Sequence, residues 1–482
     1  MNDLSVYSNS PVEFLWGNTE LVIRNPRSPL LNHLHYYRKS LEMNPKRWTR
    51  EVRQEKTLLY REVGTNIVTT FQGFMEELVA ICHENSIPCT VEDRRVKMPA
   101  PVLENAGGFR YGQSGLFYQM LGRNRSGLCC APTRYGKTTL IANMIRVYPE
   151  VRTVVTAPGV SLLTQLERDL KEWCPDRDIR GIYTGSRNKK ISQDVTVVSM
   201  DSLEKCDPET VDLLLVDEPH EVVTPGRMVA MNRFIKARIL GFGATISGRF
   251  DGADKLITGV IGPLLANKTY KEAIEEGAIC PIVVYFFRLP FTPFACKKRD
   301  SAYRKLIFQN DHFNTVVEQI LNSCVPPEWQ TLIFIDEIKQ ADLMEKMVEG
   351  GVVAVASRMD KNERQFNLDS MVSGEISRCI ATNIYATGMT FPNLRVMFNA
   401  AGGGGSITAT QKPGRLAQKL PGKKAGYVID FLFEPAGHMA DLKGDDKDWK
   451  YVVQDCYNRI NHYRKIGFEV RLANSVSEIK LE

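Results

Sequence analysis

The sequence predicts an α/β chain: two successive parallel-sheet lobes behind an N-terminal α+β accessory region. Three observations carry this. From about residue 105 onward, short apolar runs alternate with helical stretches, the pattern of parallel strands joined by crossover helices. The first of those runs leads into Ala131-Pro-Thr-Arg-Tyr-Gly-Lys-Thr138, which fits a phosphate-binding loop between strand and helix. Eighty residues beyond Lys137, the run Leu213-Leu-Leu-Val-Asp-Glu-Pro-His220 ends on paired carboxylates.

Size and composition bound the rest. A chain of 482 residues exceeds what one core organises, so two to four domains are expected. With 43% hydrophobic and 24% charged residues it reads as globular rather than disordered. It contains no apolar run of the roughly eighteen residues a membrane span needs. The start, Met-Asn-Asp-Leu-Ser-Val-Tyr, lacks the basic and apolar regions of a signal peptide. The eleven cysteines include no Cys-x-x-Cys pair, so a reducing cytoplasm is expected and Cys129-Cys130 are read as small hydrophobes. A net charge of +6 permits a polyanionic partner without demanding one.

The elements fall in three regions. Residues 1–100 carry no nucleotide motif. They hold a cluster of basic residues (Arg24, Arg27, Arg38, Lys39, Lys46, Arg47, Arg50, Arg53, Lys56 and Arg61) interleaved with glutamates, read as a solvated helical face or a nucleic-acid contact. A helix is expected over Thr70–Glu84, where Phe71, Phe74, Met75, Leu78, Val79 and Ile81 recur at helical spacing. Pro99, Pro101, Gly107 and Gly108 mark a linker. Residues 101–285 form the first lobe, with strands expected at Gly127–Ala131, Thr153–Ala157, Val195–Ser199, Leu213–Asp217 and Ile239–Gly243. Residues 286–482 form the second, with strands at Thr331–Asp336, Val352–Ala356, Cys379–Thr382, Arg395–Asn399 and Gly426–Phe431.

The residue types at the two motifs match the needs of nucleotide hydrolysis, with ATP and Mg²⁺ as the ligands. Backbone N–H groups across Thr133, Arg134, Tyr135, Gly136, Lys137 and Thr138 would wrap a β-phosphate at the start of a helix that continues through Thr139. Lys137 would neutralise phosphate oxygens. Thr138 and Asp217 would hold Mg²⁺, and Glu218 would orient the attacking water.

Weaker signatures follow in order: Thr156-Ala-Pro-Gly-Val-Ser, Thr196-Val-Val-Ser, Gly243-Ala-Thr, Thr331-Leu-Ile-Phe-Ile-Asp, Ala381-Thr-Asn-Ile-Tyr-Ala-Thr-Gly and Gln411-Lys-Pro-Gly-Arg-Leu-Ala-Gln. Their order and spacing over residues 105–470 resemble superfamily 2 helicases and translocases. Phe109-Arg-Tyr-Gly-Gln113, Arg249-Phe-Asp-Gly-Ala-Asp and Lys361-Asn-Glu-Arg-Gln-Phe are most similar to the UvsW-type and XPB-like branch.

That resemblance implies two RecA-like lobes. It places Gln113 at the adenine edge, Gln411, Arg415 and Gly388 in the nucleotide pocket, and Gly243-Ala244-Thr245 between nucleotide state and lobe closure. It places Pro158, Gly159, Thr196, Ser199 and Thr382 against a nucleic-acid backbone. Three departures stand out. Arg134 and Tyr135 occupy loop positions where the family carries small residues. Gln418 stands where it carries a second arginine, with Arg415 or Arg364 as substitutes, and Thr390 replaces the acidic residue after the motif-five glycine.

The resemblance implies an ATP-dependent DNA helicase acting on single-stranded or branched DNA in phage-type replication, recombination or repair, in the host cytoplasm, with replication or recombination proteins as partners. RNA is the alternative substrate. The alternative activities are duplex translocation without strand separation and a nucleotide-gated clamp with feeble hydrolysis. His33 and His35 read as a surface or core pair, and Asp441, Asp445, Asp446 and Asp448 as a solvated loop. Tyr457, Arg459, His462, Tyr463 and Arg464 read as a packing helix.

Overall fold

The computed structural model describes residues 10–44, 49–182, 194–246, 251–348, 351–354, 360–382, 391–403, 412–436 and 448–482. The chain divides into two compact units: residues 1–40, 52–132 and 136–268, and residues 41–51, 133–135 and 269–482.

The N-terminal region supplies β1 (Val12–Trp16), β2 (Glu20–Arg24), β3 (His35–Asn44), β4 (Thr49–Leu58), β5 (Tyr60–Gly64), β6 (Ile67–Phe71) and β7 (Cys89–Asp93). Five of them form a mixed sheet in the order β5-β6-β2-β1-β7. In β1, Phe14 lies opposite Ile23 of antiparallel β2 and Val91 of parallel β7. The expected helix begins at Met75, not Thr70. The run Ile-Val-Thr-Thr-Phe is rich in β-branched residues and forms β6 instead. The basic cluster also differs from its helical reading, because β3 and β4 pair as a separate two-stranded ribbon.

The five-stranded sheet shares one core with the lobe that follows. Phe14, Leu21, Phe74 and Leu78 belong to the same buried cluster as Val198, Leu214, Ile257 and Val260. The turn Gln72–Phe74 docks on the helix Asp254–Ile261, and Gln72 Nε2 donates to the Ile261 carbonyl at 2.9 Å. A Cβ on Gly73 would collide with the Thr258 carbonyl oxygen. This sheet therefore belongs to the first unit and is not held apart by a linker.

The first lobe's sheet holds β8 (Gly127–Cys130), β9 (Thr153–Ala157), β10 (Ile179–Ile182), β11 (Val195–Ser199), β12 (Leu213–Asp217), β13 (Arg238–Gly243) and β14 (Leu264–Asn267). All its pairings are parallel, in the order β10-β11-β9-β12-β13-β8-β14. Five of these strands match the sequence reading. The other two, β10 and β14, are four-residue edge strands, too short to show a pattern.

The second lobe repeats the plan with β15 (Ile282–Phe291), β16 (Gln330–Phe334), β17 (Gly351–Ala354), β18 (Arg378–Ala381), β19 (Leu394–Asn399), β20 (Gly426–Pro435) and β21 (Glu469–Ala473). The order is β17-β18-β16-β19-β20-β15-β21, again parallel throughout. The main body of the second unit begins at Thr269, ahead of the expected 286. Residue 286 falls inside β15, which pairs with β20 along its whole length. The predicted class, two α/β lobes with an N-terminal α+β region, is the fold observed.

Gly73→Ala forces backbone apart at the seam between sheet and lobe, whereas Gly115→Ala adds a methyl in open space on a helix. The first is expected to lower stability by on the order of 2–4 kcal/mol and the second to raise it by about 0.5–1 kcal/mol. Denaturant midpoints of the two variants check this.

Candidate active site

The phosphate-binding loop is fixed by its backbone. Ala131 N donates to the Gly243 carbonyl at 2.9 Å, which ties the loop's start to the neighbouring strand. Gly136 ends the loop in the left-handed region (φ 93°, ψ 46°) and caps the helix Lys137–Arg146 with no side-chain partner for the first N–H groups. Those donors and the helix dipole form an anion-binding cradle. Arg134 also adopts a left-handed conformation (φ 72°), uncommon for a residue with a side chain. Tyr135 is buried, not turned outward. Thr133, Lys137 and Thr138 are half-buried around the loop, and Thr139 is buried behind it.

Gln113 is brought to this loop. It opens the helix Gln113–Gly122, is buried, and accepts the Arg110 N–H through Oε1 at 2.8 Å. Its Nε2 lies so close to Gly136 that a Cβ there would clash with it. The sequence reading missed Asn143. Fully buried on the helix behind the loop, it accepts Gly107 N at 2.8 Å and donates to Gly107 O at 3.0 Å, which fixes the segment leading to Gln113. Its only signal is a polar residue within Leu-Ile-Ala-Asn-Met-Ile.

The acidic pair stands at the carboxyl end of β12. Asp217 is buried, and burial followed by the Glu218 charge pushes its carboxyl up to about 7, while the Lys137 charge pulls it down. The loop lysine and the strand carboxylate are thus within electrostatic reach. Glu218 takes a left-handed conformation (φ 53°), and its N–H donates to the Phe242 carbonyl at 3.0 Å. Its Oε2 is buried without a hydrogen bond among the described residues, 3.4 Å from His220 Nδ1. Asp217 and Glu218 are adjacent hard-oxygen ligands of the kind Mg²⁺ takes, and Thr138 follows Lys137 at the start of the loop helix. Gly243 packs on the Pro219 ring, where a Cβ would meet Cδ at 3.0 Å, so Gly243-Ala244-Thr245 is in register with the acidic turn. Cys129 is buried within β8 and its thiol is pushed up to about 12, consistent with a packing role.

Pro158 and Gly159 follow β9, and Gly159 (φ 75°) starts the helix Val160–Trp173 with open space where a Cβ would stand. Ser199 pairs with Ala157 at the same edge of the sheet. Thr196 does not belong with them. It lies toward the opposite end of β11 and is 1% exposed, enclosed by its neighbours in the sheet. In the second unit, Thr382 follows β18 and is half-buried.

Arg415 lies buried in the turn Arg415–Ala417. Two lysines near it carry no signal in the sequence. Lys412 is buried against the Phe334 ring at 4.4 Å, and burial lowers its ammonium to about 8. Lys423 Nζ donates to the carbonyls of Leu416 (2.7 Å), Leu394 (2.8 Å) and Gln418 (3.2 Å), bracing the turn. Behind it, buried Asp430 pairs with Arg459, whose Nη1 also donates to the Gly403 carbonyl. Gln411, Gly388, Thr390, Arg249, Asp441, Asp445 and Asp446 lie outside the described residues, as does the side chain of Arg364. His33 pairs with Glu77 at 2.7 Å.

Because the Asp217 value in the folded state lies above its ordinary 3.8, the native state holds that proton more tightly than the unfolded chain. Stability without ligands is then lost as pH rises from about 4 through 7. Asp217→Asn removes this loss. The variant is expected to match wild type near pH 4 and exceed it by on the order of 1–3 kcal/mol at pH 8, with Mg²⁺ narrowing the gap. Unfolding midpoints across that pH range measure the difference.

Two domain families match the chain in sequence order. The res subunit of type III restriction enzymes matches residues 107–248, and the helicase conserved C-terminal domain matches residues 312–418. "DNA 3'-5' translocase XPB2" of Sulfurisphaera tokodaii is 24% identical over 368 residues, covering 67% of this chain and 81% of that protein. "Putative helicase 22" of Sulfolobus islandicus filamentous virus is 24% identical over 267 residues, covering 52% of this chain. The match spans 46%, less than half, of that viral protein. Among solved structures, a point variant of S. cerevisiae Dbp5 bound to RNA and ADP BeF3 has a TM-score of 0.52 at 15% identity, over 84% of this chain and 95% of that one. The two domain matches fall in order on the two parallel-sheet lobes, so the chain is similar to superfamily 2 helicases and translocases in both halves.

Proposed function

We propose that the chain is an ATP- and Mg²⁺-dependent DNA motor that translocates on DNA and unwinds or remodels branched structures. The observation that carries the reading is the meeting, in the first unit, of the Gly136–Lys137 turn with an acidic pair whose titration feels Lys137. Lys137 and the N–H groups of residues 133–138 hold phosphate oxygens, and Gln113 reaches the adenine edge. Thr138 and Asp217 hold Mg²⁺, which when bound neutralises developing phosphate charge. Glu218, its carboxylate aimed by a left-handed backbone and beside His220, orients the attacking water.

The similarity to a protein described as a DNA 3'-5' translocase supports DNA and directional movement, and the viral relative supports a viral setting; replication or recombination proteins are the partners in this reading. Pro158, Gly159 and Ser199 of the first unit and Thr382 of the second are backbone contacts in this reading, and Gln411, Gly388 and Arg415 are the second unit's nucleotide residues. Contacts of this kind are sequence-tolerant and salt-sensitive. Residues 1–100 serve as the accessory region, with the first motor half running on to Lys268 and the second from Thr269, in the cytoplasm of a host cell.

ATP turnover with single-stranded DNA, forked DNA, duplex DNA and RNA tests the reading. Stimulation by forked or single-stranded DNA of at least about tenfold is expected, with Glu218→Gln about 10²-fold slower or worse. Turnover that ignores nucleic acid, or that survives in Glu218→Gln, contradicts it. Gln418→Arg is expected to raise turnover, since a second arginine adds charge stabilisation of the transition state.

A further inference from the structure

At the amino ends of the first lobe's strands, opposite the phosphate loop, lies a basic pocket of about 50 Å³. Its walls come from four segments: the turn after β1 (Asn18), the end of β7 and the strap beyond it (Asp93, Arg95, Lys97), the turn before β8 (Asn124, Arg125, Ser126) and the first residue of β13, Arg238. Four cations therefore face one cavity with a single carboxylate in its lining. That carboxylate is already engaged, since Asp93 pairs with Arg95 at 2.6 Å while the Arg95 guanidinium rests 3.6 Å above the Trp16 ring.

The other cations are incompletely neutralised. Arg238 is 3% exposed and meets no carboxylate among the described residues. It donates to the carbonyls of Arg125 (2.9 Å) and Met120 (2.7 Å) and to the Tyr148 hydroxyl (3.4 Å), which leaves guanidinium protons over. Burial, and the neighbouring Arg95 charge, lower its affinity for its own proton. Arg125 is 7% exposed. Its outer nitrogens reach Glu76, but its Nε is buried without a partner among the described residues. Lys97 is exposed at the mouth and makes no ion pair among the described residues. A buried cation without counter-charge is costly, and Arg238 is one among the described residues, with donors to spare.

We propose that this pocket is a site for a phosphate group, held by Arg125, Arg238 and Lys97. Guanidinium groups drawn from separate segments suit a small tetrahedral oxyanion. Two sources share that chemistry: a free phosphate ion, or the terminal phosphate of a nucleic-acid strand entering past exposed Lys97 and Asn124. Because the strap belongs to the N-terminal sheet and Arg238 to the lobe, an anion here would also pin the two together.

The test is thermal unfolding of the full chain in inorganic phosphate against chloride at equal ionic strength. Lys97→Glu and Asn124→Asp, both surface changes, place negative charge at the mouth. Phosphate is expected to raise the wild-type Tm by about 2 °C or more and to raise it less in both variants, where only the phosphate loop still binds the ion. An equal shift in wild type and variants, or no shift, overturns the proposal. The source is then read by fluorescence anisotropy with a 5′-phosphorylated and an unphosphorylated oligonucleotide. Several-fold tighter binding of the phosphorylated strand, abolished by Lys97→Glu, assigns a strand terminus. Equal binding, with the thermal shift retained, assigns the free ion.

Discussion

The left-handed turn at Gly136 is the constraint on which the site depends. Only a residue without a Cβ can turn the chain there while the Gln113 amide presses against it. That turn sets the start of the helix Lys137–Arg146, and with it the direction in which Lys137 and Thr138 leave the backbone. Asn143, about two turns further along the same helix, holds the segment that delivers Gln113. Loop, buried glutamine and anchoring asparagine thus form one mechanical unit.

Buried charge is the second theme. Asp217 sits at the end of an otherwise apolar strand, where burial and Glu218 both favour its protonated form, so a cation at this position would relieve an electrostatic cost. The second unit handles the problem differently. Asp430 and Arg459 neutralise each other, with Asn399 donating to the same carboxylate at 3.0 Å. Lys423 commits its ammonium to three carbonyls. One unit keeps its buried charge in need of a ligand, and the other uses its charges to hold a turn rigid.

Much of this was legible in the sequence because fully buried parallel strands read as short apolar runs. Thr153–Ala157, Val195–Ser199 and Leu213–Asp217 fall where their hydrophobicity places them. Edge strands such as Ile179–Ile182 are too short to signal themselves. The long strand Ile282–Phe291 is hidden because the Pro-containing stretch at its end looks like the break between lobes. The basic N-terminal cluster misleads because interleaved charges suit a helix surface and a β-ribbon equally. At the site, the motif lysine and carboxylates announce themselves by spacing. The supports do not: Asn143, Lys412, Lys423 and Arg459 are polar residues whose burial depends on distant parts of the chain. Thr196 fails for a related reason, since a motif names a strand but not which end faces the ligand.

The proposed function makes separation of DNA strands depend on the phosphate loop and the acidic pair. The direct measurement is release of a labelled strand from a forked duplex, followed with wild type and with Lys137→Ala in the presence of ATP and Mg²⁺. Release by wild type that requires ATP and disappears in Lys137→Ala is the predicted result. Release that persists in Lys137→Ala, or no ATP-dependent release from any fork while ATP is being hydrolysed, would contradict it.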